Sequence, residues 1–525
     1  MQSNPNFRRR ALLHGVGAFA ATAAFPWTSA YAAPLRKGGT LRVSIGQAVN
    51  KINPLQARVT PEYMVTEMLY SGLTRLGGTA SAIEPDLALN WASNKDLTQW
   101  TFKLRPNVAF HDGSVCTAAD VVASFEALLD PATGSPGRQN VGPIAKIVAA
   151  GQDTVVFTLK TPYADFPAAL AFPNAKIVPA AIVKGGMARL ARESVGTGPF
   201  KLVKYEPERV VIVERNDKYY DKERPYLNKV EVRVYPDTTA EGSALIAGDT
   251  DVMALVQPTE FSRLKSATGV DALRSASGQF CNVNLGCNQK PFNDVRVRKA
   301  LALTVDRRTM VDFVAEGFGQ SANDNPVNPA YQFFSAQQAK SVDIPQAKRL
   351  LAEAGYPKGL DLTLVASDNP AVRTQLGVAL REMAKPAGFN ISVQTMPHST
   401  YLDQVWKKGA FYVGFYNMQP TVDAIFSLLY TSSASWNETH WNNKQFDRLV
   451  EEARGLSDVT KRAELYAEAQ RLMSEEVPSI IPVFFDVLRA KRRYVQGYTA
   501  HPRGNTFRMD YVSLDDTAPK RAWGV

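Results

Sequence analysis

The sequence predicts an α/β protein made of two lobes, with two strands crossing between the lobes and a cleft between them. Three observations support this fold class. The chain has 525 residues, more than a single hydrophobic core usually accommodates. Residues 280–285 alternate in the period-two pattern of a strand, and residues 477–492 form a second β-rich run. We interpret the first run as the crossing into the second lobe and the second run as the return.

The first crossing is predicted to continue into a helix. Residues 288–291 are a polar turn, and either Asn293 or Asp294 can cap the helix that follows. Apolar residues then recur at helical spacing over 297–304. A strand, a turn and a helix are therefore expected in succession where the chain enters the second lobe.

Residues 1–32 have the features of an export signal. Three arginines at 8–10 precede an apolar run, 11–25, that is too short and too rich in alanine to span a bilayer. An A-x-A cleavage site follows at 30–32, without a nearby cysteine for a lipid anchor. The arginines fit a twin-arginine signal and also an ordinary secretory signal. We expect a soluble mature protein in the periplasm.

The first half of the mature chain alternates strands and helices. Thr117 and Asp120 have the spacing of a capping box at one helix start. We predict strands at residues 40–46 and 100–104 and helices at residues 61–73 and 117–129.

Charge and cysteine content exclude some classes of protein. The net charge of +10 is spread along the chain, and the one tight basic cluster, Arg489 with residues 491–493, is expected to be a solvated surface and not a nucleic-acid site. Three cysteines are too few for a disulfide framework. Cys281 and Cys287 could pair in an oxidising compartment, or both could be free buried thiols.

Common catalytic motifs are absent from the sequence. It contains no G-x-S-x-G, no HExxH and no phosphate-binding loop. Ser262 and Lys265 match S-x-x-K and a Ser-Asp-Asn follows at 367–369, but the KTG element of penicillin-binding enzymes does not follow. No two histidines of the mature chain have metal-ligand spacing. We predict no catalytic site, no metal site and no cofactor.

Several stretches share the motifs of one family. The longest, residues 100–131, reads WTFKLRPNVAFHDGSVCTAADVVASFEALLDP. The others are GTGPF at 196–200, NDKYY at 216–220, KPFNDVRVRKAL at 290–301, DIPQAKRLLAEAGY at 343–356 and FDRLVEEA at 446–453. Together they resemble the family 5 extracellular solute-binding proteins of ABC transporters, which include dipeptide-, oligopeptide-, nickel- and glutathione-binding proteins.

The resemblance implies a two-lobed periplasmic binding protein, a Venus-flytrap fold, with an extra subdomain in the first lobe. The crossings near 277–281 and 482–486 would then be its hinges. The implied boundaries are residues 34–277 plus 484–525 for lobe I, about 72–185 for its insert and 278–483 for lobe II.

The candidate ligand-binding residues follow a predicted strand at 411–415. The strand ends in a loop containing Tyr416 and Asn417, before a helix-like run, and α/β folds place ligands at such positions. In the peptide-binding proteins that this chain resembles, an acidic side chain in this region pairs with the ligand's α-ammonium group. Asp423 is the candidate for that role, although Asp423 could instead cap the following helix.

Gln419 departs from the pattern of the family, because relatives with an RPTxD-like loop carry arginine there. A neutral amide replaces the guanidinium, which weakens the case for an anionic ligand group at that point. Downstream, Trp436, Asn437 and His440 form an aromatic and polar cluster. The cluster suits a pocket for a small amphipathic ligand, and it also suits ordinary packing between helices.

The resemblance implies a function in import. The expected protein is a monomeric substrate-binding subunit of an ABC importer that captures a small peptide or peptide-like solute and delivers it to a membrane permease. The alternative is a carrier for a metal chelate, haem or another non-peptide solute, because this fold does not determine the ligand.

Overall fold

Both predicted crossings are strands at the centre of one mixed sheet. The computed structural model describes residues 36–520, so the predicted export signal lies outside the described residues. The strands are β1 (Thr40–Ile45), β2 (Thr74–Leu76), β3 (Ile83–Pro85), β4 (Ala88–Ser93), β5 (Gln99–Leu104), β6 (Ile144–Ala149), β7 (Thr154–Leu159), β8 (Phe200–Glu206), β9 (Val210–Arg215), β10 (Lys229–Val234), β11 (Val252–Met253), β12 (Val270–Leu285), β13 (Gly319–Ser321), β14 (Leu360–Ser367), β15 (Phe389–Met396), β16 (Phe411–Tyr416), β17 (Ser479–Ile480), β18 (Val483–Arg492), β19 (Val495–Gln496) and β20 (Ser513–Leu514).

Helices cover the sheet and fill the connections between strands. They are α1 (Thr60–Leu69), α2 (Ala118–Leu129), α3 (Phe166–Ala169), α4 (Ala180–Lys184), α5 (Thr238–Ala247), α6 (Pro258–Lys265), α7 (Val295–Ala302), α8 (Arg307–Val314), α9 (Ile344–Glu353), α10 (Val372–Ala384), α11 (His398–Gln404), α12 (Val422–Leu429), α13 (Lys444–Arg454) and α14 (Val459–Glu476). None of the helices in residues 36–520 has the length and apolar character needed to cross a bilayer.

The large sheet has the strand order β15-β14-β16-β12-β18-β11-β1-β10-β9-β8. In addition, β13 pairs with β18, and β17 pairs with β12. The long strands β12 and β18 are antiparallel neighbours in its middle. On one side β12 pairs with β16, and on the other side β18 pairs with β11. The crossings predicted from the sequence are therefore confirmed as strands, and β12 begins ten residues earlier than the alternating pattern at 280 indicated.

The pairing of β12 with β18 is interrupted at the first predicted hinge. Ser275 pairs with Val487 and Gln279 pairs with Phe485, so β12 carries extra residues between these two pairs. Such a bulge bends a strand and increases its local twist. The irregularity overlaps residues 277–281, whose role as a hinge stays a prediction.

Gly278 lies inside this bulge, where an added Cβ atom would be crowded by neighbouring side chains. A Cβ atom there would be 2.9 Å from Cγ of Met418 and 3.0 Å from the ring of Tyr331. The adjacent Ser277 carbonyl accepts a hydrogen bond of 2.8 Å from the Asn328 side chain. The bulge is therefore packed tightly against residues that come later in the chain.

The predicted insert contains a sheet of its own. Strands β4, β5, β7 and β6 form an antiparallel four-stranded sheet, separate from the large one. Phe102, Phe125, Phe157 and Phe166 fill its core, with the ring centroids of Phe125 and Phe157 5.2 Å apart. The insert therefore has a sheet of its own, but its apolar residues join the largest buried cluster of the protein, and the insert boundaries stay predictions.

Local predictions for two helix starts are confirmed. The Asp120 side chain accepts a hydrogen bond of 2.7 Å from the Thr117 backbone N–H at the start of α2, as in a capping box. At the start of α7 the cap is Asp294, whose carboxylate accepts from the Arg296 backbone N–H at 2.8 Å, and not Asn293.

The buried apolar residues form clusters that follow the predicted lobes. The largest cluster combines residues 41–254 with residues 494–514. Two others draw on residues 280–484, and Ala80 of the predicted insert joins one of them. The described chain is nevertheless one compact unit, so the lobe boundaries stay predictions.

The burial of side chains tests two predictions from the sequence, one about the basic cluster and one about the cysteines. The basic cluster is solvated only in part: Arg493 is exposed, but Arg489 has no exposed area and Lys491 is 8% exposed. Arg489 instead donates hydrogen bonds to backbone carbonyls of the C-terminal loop. The three cysteines are free, with Cys116 and Cys281 buried and Cys287 partly exposed.

Candidate functional site

A cavity of about 370 Å³ lies where the predicted insert meets the loop after β16. One side is lined by residues 139, 140, 142 and 143 with Tyr163, and the other side by residues between 419 and 454. Gln419 and Asp423, two of the residues singled out from the sequence, are among the lining residues. The volume falls in the lower part of the range typical of small-molecule sites, roughly 300–1,000 Å³.

The strand, loop and helix around Asp423 form in the predicted order, but Tyr416 belongs to the strand and Asp423 to the helix, and neither to the loop. Strand β16 ends at Tyr416 and α12 begins at Val422. Thr421 is the N-cap of α12, and its hydroxyl accepts a hydrogen bond of 3.1 Å from the Ala424 backbone N–H. The alternative in which Asp423 caps α12 is therefore wrong, because Asp423 lies inside the first turn with its carboxylate directed elsewhere.

The Asp423 carboxylate is paired within the protein. Its Oδ1 accepts a hydrogen bond of 2.9 Å from Nε of Arg454 and one of 3.2 Å from the Ser427 hydroxyl. No side chain among residues 36–520 bonds to Oδ2. Burial raises the pKa of the Asp423 carboxyl, and the guanidinium of Arg454 opposes that increase. One carboxylate oxygen on the cavity wall is thus still able to accept a hydrogen bond.

Direct contacts join the two sides around the cavity. Asp165 forms an ion pair of 2.7 Å with Arg462 on α14, and both side chains are almost fully buried. The Ala164 backbone N–H donates to the Arg454 carbonyl at 2.9 Å. At the opposite rim the Ser435 hydroxyl donates to the Gln139 side chain at 3.2 Å. These contacts hold the insert against the segment that carries Asp423.

The loop between β16 and α12 also contacts the bulge of β12. Asn417 accepts a hydrogen bond of 3.0 Å from the Gln279 side chain. The Gln419 backbone N–H donates to the Tyr331 hydroxyl at 3.1 Å, and the Gln419 amide donates to the Asn417 carbonyl at 3.3 Å. The loop therefore lies between the cavity and the predicted hinge.

Tyr416 and Trp436 belong to an aromatic group beside the cavity. The indole of Trp436 meets Trp406 edge-on, with ring centroids 5.5 Å apart, and its centroid lies 6.2 Å from that of Tyr416. Tyr416 is buried and packs on Phe280. Neither Tyr416 nor Trp436 lines the cavity, although Ser435 does.

Asn437 and His440 are not brought to the cavity. The amide group of Asn437 donates to the carbonyls of Thr431 and Trp441, and its oxygen accepts from the Thr439 hydroxyl. Asn437 therefore stabilises the conformation of its own loop through these hydrogen bonds. His440 is exposed and has a positive φ of 52°. A ligand contact at either residue stays a prediction.

Sequence reasoning missed several residues of the site. Arg454 and Tyr163 gave no local indication, because their neighbours at the cavity are distant in the chain. Glu438 does not line the cavity, but it lies within the aromatic and polar cluster at 436–440 and was not predicted from the sequence. It is buried next to Tyr416, accepts a hydrogen bond of 2.6 Å from Asn284, and burial raises the pKa of its carboxyl. A charged residue between Trp436 and Trp441 was the one available clue.

This fold is that of a two-lobed periplasmic binding protein. The chain belongs to the bacterial extracellular solute-binding proteins of family 5: the family described as "Bacterial extracellular solute-binding proteins, family 5 Middle" matches residues 82–439. Proteins of this family are the substrate-binding subunits of ABC importers, and the expected class is therefore confirmed.

Three relatives place the chain within this family. It is 30% identical over 500 residues to the periplasmic oligopeptide-binding protein OppA of Salmonella typhimurium, across 88% of this chain and 90% of OppA. The periplasmic binding protein DppA from Helicobacter pylori, solved with the peptide STSA, has a TM-score of 0.77 at 25% identity, covering 91% of this chain and 98% of DppA. AgaA of A. tumefaciens R10, solved with agropinic acid, has a TM-score of 0.77 at 25% identity, covering 91% of this chain and 99% of AgaA.

Proposed function

We propose that the mature protein captures a small peptide or peptide-like solute in the periplasm and delivers it to the permease of an ABC importer, without catalysing a reaction. The observation that carries this proposal is the cavity between the insert and the loop after β16. Its wall contains the Asp423 carboxylate paired with the Arg454 guanidinium, together with amide and hydroxyl groups from residues such as Gln419, Asn140 and Ser435. A peptide presents an ammonium group and a series of amides, which such a wall can bind.

Asp423 is the proposed partner of the ligand's ammonium group. Oδ1 is held by Arg454 and Ser427, which fixes the carboxylate and leaves Oδ2 for a third donor. The Asp423 side chain is 4% exposed, so a bond to a cation there would form away from bulk water, where charge-assisted hydrogen bonds are strong. The neutral amide of Gln419 adds a donor and an acceptor without a competing charge.

Closure around the ligand would drive capture. Contacts that join both sides of the cavity exist only when the insert and the later segment are together, so a ligand that binds both sides shifts the population toward the closed form. The ion pair between Asp165 and Arg462 would favour the same form. Relatives solved with a tetrapeptide and with agropinic acid support a site of this kind for small polar solutes.

Calorimetry with short peptides tests the proposal. The tripeptide Ala-Ala-Ala should bind, and N-acetylation of its amino group should weaken binding at least tenfold, because the acetylated peptide has no cation for Asp423. Native mass spectrometry of protein purified from its own periplasm would identify any solute that co-purifies. A mass corresponding to haem or a metal chelate, with no binding of peptides, would reject the peptide proposal in favour of the alternative carrier.

A further inference from the structure

A second cavity, of about 610 Å³, lies against strands β13 and β18 near the predicted hinge at 482–486. It is lined by residues 305–308 around the start of α8, by residues between 320 and 342, and by Phe484 of β18. None of these residues lines the cavity that contains Asp423. The volume is within the range of small-molecule sites, roughly 300–1,000 Å³. The second cavity is therefore a candidate site separate from that of the transported solute.

Much of the wall of the second cavity is apolar. Val327 and Phe484 are buried there, with 1% and 3% of their surface exposed. Phe334 and Val342 line the same cavity but are 39% and 44% exposed. Single exposed apolar side chains are common, but two on the wall of one cavity form a patch that the hydrocarbon part of a ligand can cover. The wall therefore favours a ligand with an apolar part.

Three cations line the second cavity, and the carboxylates around them do not balance their charge. Asp324 has no exposed area, and its Oδ2 accepts hydrogen bonds of 2.6 Å from Nη2 of Arg307 and of 2.6 Å from Nζ of Lys340. Arg308 is exposed on the same wall, and Asp306, the remaining ionisable lining residue, is the N-cap of α8. Three positive charges thus meet two negative ones, so the cavity favours an anion.

The cations retain hydrogen-bond donors for such an anion. Lys340 uses two of its three N–H groups, for Asp324 and for the Ser474 carbonyl. Nε of the buried Arg307 has no hydrogen-bond acceptor among residues 36–520. Burial lowers the pKa of the Lys340 ammonium group, and the charge of Asp324 opposes that decrease. A bound anion would stabilise the charged form of Lys340 further.

The segment at residues 334–342, which forms one side of the second cavity, contains neither helix nor strand. Asn323 binds this segment twice: its amide donates to the Gln338 carbonyl at 2.8 Å, and its oxygen accepts from the Lys340 backbone N–H at 3.2 Å. The Ser335 backbone N–H donates to the Gln470 side chain at 3.0 Å. A segment held by side chains can move aside for a ligand at low cost, because no backbone ladder has to break.

We propose that the second cavity binds an amphipathic carboxylate, with its anionic group at Arg308 and Lys340 and its hydrocarbon chain against Phe334 and Val342. A guanidinium matches the two oxygens of a carboxylate, and covering exposed apolar side chains adds to the affinity. Because β13 and β18 both contribute to the wall, the ligand contacts two strands at the predicted hinge. This binding activity is additional to solute capture and does not rest on the proposed function.

Calorimetry with octanoate tests the charge of the second cavity. The wild-type protein should bind octanoate at least about tenfold more tightly than octanamide, which has the same chain without the charge. The same margin is expected over propionate, which has the charge without the long chain. Arg308→Gln should reduce the octanoate-to-octanamide ratio by roughly threefold or more. Arg448→Gln is the matched control, because Arg448 is also exposed but does not line the cavity, and it should keep the wild-type ratio.

A second pair of variants tests the apolar wall. Phe334→Ser should weaken octanoate binding by roughly fivefold or more, because the side chain that covers the hydrocarbon chain is lost. Phe313→Ser is the control: Phe313 is 53% exposed on α8 but does not line the cavity, so octanoate affinity should not change. Arg308→Gln and Phe334→Ser should both bind Ala-Ala-Ala as the wild type does, since neither residue lines the Asp423 cavity.

Several outcomes would overturn the proposed carboxylate site. These are no octanoate binding to the wild type, equal affinities for octanoate and octanamide, and an unchanged ratio in Arg308→Gln. Equal losses in Phe334→Ser and Phe313→Ser would identify non-specific adsorption and would likewise reject the site. If octanoate binds as expected and Ala-Ala-Ala does not bind at all, the proposed function fails and the second site stands.

Discussion

Replacing Asp423 with asparagine separates its two proposed roles, one in stability and one in binding. The change keeps the size of the side chain and the hydrogen bond from Ser427, but it removes the charge that pairs with Arg454. The helix cap is unaffected because Thr421 provides it. Any loss of stability in Asp423→Asn therefore reports on the ion pair.

The expected loss of stability in Asp423→Asn follows from the burial of the ion pair between Asp423 and Arg454. The Asp423 side chain is 4% exposed and that of Arg454 is 22% exposed, so the pair lies between a surface pair and a fully buried one. Surface pairs contribute about 0–1 kcal/mol, whereas breaking a buried pair costs about 3–5 kcal/mol. We expect Asp423→Asn to lower the free energy of unfolding of the ligand-free protein by about 1–3 kcal/mol. Urea denaturation measures this loss, and a cycle with Arg454→Gln isolates the coupling between the two side chains.

Binding provides the second readout. Asp423→Asn should weaken the affinity for Ala-Ala-Ala at least tenfold, or about 1.4 kcal/mol, and should barely change the affinity for the N-acetylated peptide. Thr421→Ala is the control: it loses the cap of α12, which costs about 1 kcal/mol of stability, and should keep the wild-type preference for a free amino group. If Asp423→Asn loses stability but keeps that preference, Asp423 is a structural partner of Arg454 and the ammonium site lies elsewhere.

Three further predictions concern closure, pH dependence and packing. Asp165→Asn breaks the buried ion pair with Arg462, so it should weaken binding of Ala-Ala-Ala at least tenfold although residue 165 does not contact the ligand. It should also enlarge the radius of gyration at subsaturating peptide. If calorimetry and small-angle scattering show neither effect, the role of the ion pair in closure is wrong. Burial raises the pKa of the Glu241 carboxyl from 4.5 to about 7, so the folded protein loses stability as the pH rises between these values. The free energy of unfolding of Glu241→Gln should therefore rise by about 1–3 kcal/mol relative to the wild type across that pH range. Urea titrations at several pH values measure this difference. A Cβ atom at Gly278 would collide with two side chains, so Gly278→Ala should destabilise the protein by about 1–3 kcal/mol and lower its urea midpoint. Gly78→Ala is the control: a Cβ atom there meets no atom within 4 Å, so the urea midpoint should barely change.

Local patterns in the sequence were sufficient to predict many of the elements. The alternation at 280–285 and a helix cap at Asn293 or Asp294 depend on residues a few positions apart; the strand is present, and the structure selects Asp294 as the cap. The order of β16, loop and α12 was predictable for the same reason. The two β-rich runs at 280–285 and 477–492 indicated the two-lobed architecture, and the family motifs spread over the chain implied the same architecture.

Only the tertiary structure decided which side chains meet. Arg454 reaches Asp423 because α13 packs beside α12, and Tyr163 reaches the same cavity from the insert. Arg489 looked like part of a basic surface, yet the C-terminal loop covers it and its guanidinium binds three carbonyls. The period of a strand or helix and the position of a cap are set by neighbours along the chain. Burial, the partner of a charge and the walls of a cavity are set by residues tens to hundreds of positions away, so they exist only in the folded protein.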